Sequence, residues 1–302
     1  MAKEGVVYQY GQPRTFNEFK RVALRSSRRN LEAHLALPDP SEHLLPQALE
    51  FFNRFQPSEQ KLFAASMAGV VRMKGLREKK FPIPEDFIET NLDHVRSLME
   101  IAYEYHATYP ELREHIDFNS VQKKLLVHDI GEAHPVIGDR PPVGRTQEDE
   151  QAKRLEPYAG VRILRNISDP ELREETISHY KEYSSKDPHN IEVQMAAFID
   201  KVQGTVRVAH IAFNLEKANP ETQKSIREHL WATVIQMQDH MDRLLVLLPT
   251  QEAREAMYRL GQREFAIFKQ YAPPEIAKTY LTRLNVIVSP GTIVNLKEND
   301  VA

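Results

Sequence analysis

The stretch Leu125-Leu126-Val127-His128-Asp129-Ile130-Gly131-Glu132 decides how this chain is read. It has the composition of a helix entering a core, and its apolar stripe turns ionisable partway along. Val121, Leu125, His128, Asp129 and Glu132 recur at helical spacing, so two leucine-like positions share a face with an imidazole and two carboxylates. A solvated face would place such groups opposite the leucines. Burying them together is costly unless a cation neutralises them, so the stretch predicts a metal site inside a helical protein.

Working outward, two more positions repeat the pattern. His94 lies 34 residues before His128, at the edge of a stripe formed by Val95, Leu98, Met99 and Ala102. Asp200 lies 71 residues after Asp129, and Val193, Ala197, Asp200, Gly204 and Val208 again follow helical spacing. The small side chains at 197 and 204 admit a neighbouring helix. Taken singly, His94 reads as a core-edge histidine and Asp200 as a salt-bridge partner of Lys201 or of a neighbouring helix. With Glu132 they read as three helices directing two imidazoles and two carboxylates at one point. His94, His128, Asp129 and Asp200 form a shell for one divalent cation with positions left for water and substrate. Mixed nitrogen and oxygen ligands accept Mn, Co, Fe, Ni, Zn or Mg, so the identity of the ion stays open.

The rest of the chain supports a helical fold. It has 302 residues, 41% hydrophobic and 27% charged, with only 11 glycines. That is ample length for a full core and an ordinary soluble composition. Without cysteine there is no disulfide and no thiolate-held metal. A net charge of −3 gives no electrostatic case for nucleic acid. The first residues lack the apolar core of a signal peptide, and the longest apolar run, Leu244 to Leu248, is too short to cross a bilayer. A soluble, cytoplasmic protein without membrane contact is expected.

The expected architecture is all-α, a helical bundle with additional N- and C-terminal helices and a small C-terminal β-hairpin over 286–294. Three segments are expected: an N-terminal helical extension (1–57), a core carrying the site (58–216) and a C-terminal helical extension packed on it (217–302). In the first, residues 6–10 suggest a strand and 16–37 a helix, whose Arg25-Ser26-Ser27-Arg28-Arg29 cluster reads as a solvated face. Further helices are expected at 43–54, at 58–74 with Ser58 as cap, at 85–107, and around the His-Asp pair, capped by Ser120 and ended by Pro135. A rigid loop at 138–145 precedes helices at 147–156, 158–166, 170–181, 191–215, 221–247 and 250–271, the last capped by Thr250. Trp231, Met237 and Met241 read as core. The extensions carry no chemical motif; packing around the core or a homodimer interface is their expected role.

Several local motifs make the chain resemble the HD superfamily of metal-dependent phosphohydrolases over roughly residues 65–215. Asn91-Leu92-Asp93-His94, His128-Asp129-Ile130-Gly131-Glu132, Gly138-Asp139, Tyr183 and Ile199-Asp200-Lys201 are similar to motifs of its 5′-deoxynucleotidase branch. Met73-Lys74-Gly75-Leu76-Arg77 resembles the segment that supplies an arginine to the substrate phosphate. Two departures fall on the substrate side: the gap between Glu132 and Gly138 is two residues longer, and no Trp follows Arg77. Cyclic-dinucleotide phosphodiesterases of the superfamily carry Lys at the position of Glu132 and a Gly-Tyr-Pro motif not found here. Guanosine-tetraphosphate hydrolases carry Glu-Asp where this chain has Glu132-Ala133.

The resemblance implies removal of phosphate from a nucleoside 5′-monophosphate or a similar small phosphomonoester. Alternatives are phosphodiester or pyrophosphate hydrolysis, or a non-catalytic nucleotide-sensing module. Glu132 would join Asp129 as catalytic, accepting a proton from water, or else support a ligating histidine. Arg77 would bind the phosphate, or else lie in a solvated basic run. Asp139 would accept a hydrogen bond from a sugar hydroxyl, or else cap its loop. His134 is a further ligand or a helix-end residue, and His179, Lys181 and Glu182 are candidates for the entrance.

Overall fold

The computed structural model describes residues 43–70, 72, 89–135, 137–140, 146–213 and 220–268. Among them every regular element is helical apart from one isolated bridge at Thr90, so the all-α expectation holds. The strand at 6–10, the helix at 16–37 with its arginine cluster, Arg77 and the hairpin at 286–294 lie outside the described residues. The order is α1 (Pro46–Asn53), α2 (Pro57–Ala68), α3 (Asn91–Thr108), a short α4 (Pro110–Arg113) and α5 (Phe118–Val127). A 3-10 turn (Ile130–Ala133) precedes α6 (Gln147–Leu164), α7 (Pro170–Ser185), α8 (Ile191–Phe213), α9 (Pro220–Leu247) and α10 (Gln251–Phe268).

Local chemistry explains the boundaries. The Asp93 N–H donates to Thr90 Oγ1 at 3.2 Å while the Thr90 N–H donates to Asp93 Oδ2 at 3.1 Å, a capping box that starts α3. Two backbone bonds, Arg72 N to Glu89 O (2.9 Å) and Asn91 N to Val70 O (3.0 Å), tie that start to the chain after α2. Helix α2 therefore stops at Ala68 instead of running to 74. Its first turn is held by Gln56, whose N–H donates to Glu59 Oε2 at 2.8 Å, and Ser58 lies inside the helix.

Other expected boundaries also move. The cap of α5 is Asp117, whose Oδ1 accepts from Asn119 and Ser120 N–H at 2.9 and 3.2 Å; Ser120 is already helical. Helix α6 runs through Pro157, where a break was expected between two shorter helices. That proline is exposed, so water can reach the carbonyl that loses its partner. Helix α7 continues to Ser185 rather than 181. Thr250 does cap α10, accepting from the Ala253 N–H at 3.2 Å.

Helix α8 forms the axis of the core. Val193 and every residue from Met195 to Ile199 are fully buried, which leaves the helix apolar almost all round. It packs most extensively along α9 and also meets α3, α5 and α7; α6 covers the 3-10 turn and α7. One continuous apolar cluster runs from Leu44 and Phe51 of the α1 region to Leu260 and Phe265 of α10. Met237 and Met241 are in it and Trp231 packs against it, as their stripe predicted. No helix among the described residues is long and apolar enough to cross a membrane.

Candidate metal centre

His94 stands in the first turn of α3, on the same side as Val95 and Leu98, and is fully buried. His128 and Asp129 arrive differently from the sequence expectation. Helix α5 ends at Val127, and Asp129 takes φ −102° and ψ 10° before the 3-10 turn begins. This break rotates Asp129 and Glu132 away from simple helical succession, yet both remain on the buried side. Asp200 comes from the middle of α8.

The four side chains meet. His94 Nε2 lies 3.2 Å from His128 Nε2, 3.6 Å from Asp129 Oδ2 and 3.2 Å from Asp200 Oδ1. His128 Nε2 lies 3.0 Å from Asp129 Oδ2 and 3.9 Å from Asp200 Oδ1. The outer nitrogens show which way the rings point. Gln203 donates through Nε2 to Glu89 Oε1 (2.7 Å), leaving its Oε1 to accept from His94 Nδ1–H at 2.8 Å. His128 Nδ1–H donates to the Leu125 carbonyl at 2.8 Å. With those protons outward, the network assigns unprotonated Nε2 atoms facing each other inside a ring of carboxylate oxygens. Two acceptors at that distance make no hydrogen bond. A cation between them resolves the clash, so His94, His128 and Asp129 fit one divalent ion whose identity stays open.

The electrostatics agree. Burial first, and then Arg72, lowers the pKa of His94 against the pull of Asp200 and Asp129, which keeps the ring available as a neutral ligand. Burial pushes the Asp129 carboxyl upward, but His128, Arg72 and His94 outweigh it and hold it well below the usual range. Asp200 follows the same pattern, with Lys201, His94 and His128 prevailing over burial.

Glu132 behaves oppositely. Burial and the nearby Asp129 charge raise its pKa well above the ordinary value, with Lys153 opposing. Asn91 Nδ2 donates to its Oε2 at 3.0 Å and Lys153 Nζ to its Oε1 at 3.2 Å. Asp129, Glu132 and Glu156 form a second acidic group. The ammonium of Lys153 already bridges two of its members, 2.6 Å from Glu156 Oε2.

The structure surrounds this centre with further groups: Tyr183 and Lys201, which the motifs had marked, and Arg72, Gln203 and Lys153, which the sequence reading passed over. Arg72 NH1 is 2.7 Å from Asp129 Oδ2, and Tyr183 donates its phenol to Asp200 Oδ2 at 3.0 Å. Lys201 Nζ lies 2.9 Å from the same Asp200 oxygen. Gln203 is one helical turn beyond Asp200, so its role was legible at spacing i+3. Lys153 gave no such signal, because its helix is polar along most of its length.

Asp139 is half-buried, close enough to Arg72 and Glu132 for its charge to act on both. His134 follows the 3-10 turn with extended backbone and is half-buried. Away from the metal cluster, His179 packs edge-on against Phe51 with ring centroids 5.7 Å apart, Glu182 pairs with Lys124 at 2.9 Å, and Lys181 is exposed. Those two contacts are with α1 and α5, not with the metal cluster.

Two buried histidines, an adjacent aspartate and an all-helical scaffold define the centre of a metal-dependent hydrolase. Residues 85–229 match the model of the family described as HD domain, and the cluster of His94, His128 and Asp129 within that span agrees with a metal-dependent phosphohydrolase of this type. No curated protein and no solved structure shows a significant match to the chain.

Proposed function

We propose that the chain removes phosphate from a small phosphomonoester, a nucleoside 5′-monophosphate in the first place, with Asp200 as fourth ligand and Glu132 as proton acceptor. The observation that carries this reading is the pairing of a cation-demanding cluster with a separate, protonatable carboxylate one turn away. His94, His128, Asp129 and Asp200 would hold a divalent cation, which when bound would offer a Lewis acid to a phosphoryl oxygen and lower the pKa of a water. Glu132 receives the proton as the water oxygen attacks phosphorus. The bond from phosphorus to the sugar oxygen breaks, and Glu132 returns the proton to that oxygen. Its raised pKa suits both halves of that exchange, since a carboxyl poised nearer neutrality gives as readily as it takes.

Arg77 and Asp139 take the phosphate and a sugar hydroxyl in this reading. Cytoplasmic placement and assembly as a homodimer complete the proposal.

The test is phosphate release from a panel of nucleoside monophosphates by metal-stripped protein reloaded with Mn, Co, Mg or Zn. Release should need metal, disappear in Asp129→Ala, and fall by about 10²-fold or more in Glu132→Gln with metal still bound. Pyrophosphate or a nucleotide as product would move the reading to pyrophosphate or diester hydrolysis. No product from any phosphate ester would leave a sensing module.

A further inference from the structure

Among the described residues one non-glycine residue has a left-handed backbone, Lys186, at φ 53° and ψ 33°. It closes α7, where its N–H reaches the Tyr183 carbonyl at 3.2 Å. Helices commonly end in that conformation on glycine or asparagine, because a Cβ crowds the backbone there. A lysine at such a position calls for a reason beyond capping.

Its side chain supplies one. Although the residue is exposed at the helix end, its ammonium turns inward and lies 3.2 Å from the centroid of the Tyr183 ring. The same ring stands edge-on to His128, with centroids 5.1 Å apart, and its hydroxyl is bonded to Asp200. One aromatic side chain thus links Lys186 to two residues of the metal cluster.

The neighbouring cations are paired: Lys201 with Asp200 at 2.9 Å, Lys153 with Glu132 and Glu156, and Arg72 with Asp129. Among the described residues Lys186 has no carboxylate within ion-pair distance and keeps the ring contact alone. Burial of the ammonium, and then Lys201, push its pKa down to about 7, with Asp200 and Asp129 opposing, so an anion arriving beside it would favour the charged form. A cation held inward without an anion, beside a centre that handles phosphate, lacks a partner that the substrate can bring.

We propose that Lys186 is an anion-binding residue that takes a phosphate oxygen of the ligand at the metal centre, with its left-handed backbone aiming the ammonium there. The proposal rests on the reading of the centre as a phosphate site. As a cap with a packed stem, Lys186 would do no more than close α7 over Tyr183.

The experiment separates these roles with inorganic phosphate as probe. Binding is measured by calorimetry on the full chain reloaded with Mn, for the wild type, Lys186→Gly, Lys186→Met and Lys186→Arg, with melting temperatures alongside. Glycine relieves the backbone, so Lys186→Gly should melt about 2 °C higher while binding phosphate about tenfold more weakly or worse. Lys186→Met, which keeps most of the packed stem, should show the same loss, and Lys186→Arg should bind within a few-fold of the wild type. Wild-type affinity in both Lys186→Gly and Lys186→Met would overturn the anion role while leaving the phosphate site standing. Absence of metal-dependent phosphate binding in the wild type would overturn the site and this proposal together. Were Lys186→Gly not to fold, the methionine variant alone would decide.

Discussion

The Nε2 atoms of His94 and His128 face each other at 3.2 Å while their Nδ1 atoms are committed to Gln203 and to the Leu125 carbonyl. Metal-free protein holds that acceptor-to-acceptor contact only through its surrounding cations. A bound divalent ion should therefore stabilise the fold, by about 2.7 kcal/mol at a hundredfold excess over its Kd. Thermal melts in chelator and in Mn, Co or Zn should differ by several degrees in the wild type and coincide in His94→Ala. A wild-type melt indifferent to every divalent ion would remove the cluster as a metal centre.

Arg72 balances Asp129 from the other side, and its Nε also lies 3.9 Å from Glu89 Oε2. Arg72→Met leaves two buried carboxylates short of a cation, a loss of about 3 kcal/mol by the usual scale for breaking a buried pair. Part of that loss should return with metal, because the ion replaces the missing charge at Asp129. Urea unfolding in chelator and in Mn measures both terms; a variant as stable as the wild type in chelator contradicts the argument.

His240 supplies a pH dependence away from the ligands. Its Nδ1 donates to Gln194 Oε1 at 2.8 Å, and its pKa is pushed down to about 3 by burial, then by Lys201, Lys186 and Arg243, with Asp200 opposing. The folded state therefore binds fewer protons than the unfolded state between that value and about 6.5. Stability from this group is present above pH 6.5 and is lost as the pH falls towards 3. From pH 7 to pH 5 the wild type should lose about 1–2 kcal/mol more than His240→Gln. Equal losses in urea titrations at the two pH values would exclude His240 as the source.

Gly131 lets the 3-10 turn approach α6. A Cβ at that position would lie 2.6 Å from the Glu156 carbonyl oxygen and 2.6 Å from the Tyr180 hydroxyl. Gly131→Ala should cost about 1–3 kcal/mol by overpacking, and it should shift Glu132 in the next position, lowering phosphate release as well. Tyr180→Phe in the same chain removes the hydroxyl clash but neither the backbone one nor that with Glu156 Cγ at 2.8 Å. A double variant restored to wild-type stability would show that the carbonyl contact was unimportant.

Residue periodicity carried the fold class and picked out the four side chains that meet in the buried cluster. His94, His128, Asp129 and Asp200 were legible because each sits in or beside an apolar stripe, and spacing along a helix is a property of neighbouring residues. The same locality explains Thr250, whose capping bond is made three residues away. Competing local signals misled elsewhere: Asp117 outcompeted Ser120 for the start of α5, and Pro157 stayed within a helix because its exposed face lets water replace one bond. What only the tertiary structure decided is which distant groups meet. Arg72 at Asp129, Lys153 at Glu132 and Gln203 behind His94 join segments through space. Those contacts span tens of residues or more, and they form only when α3, α5, α6 and α8 pack on one another. Charges at such positions look like solvated surface in the sequence. Packing turns them inward, because a buried carboxylate must find its cation within the fold.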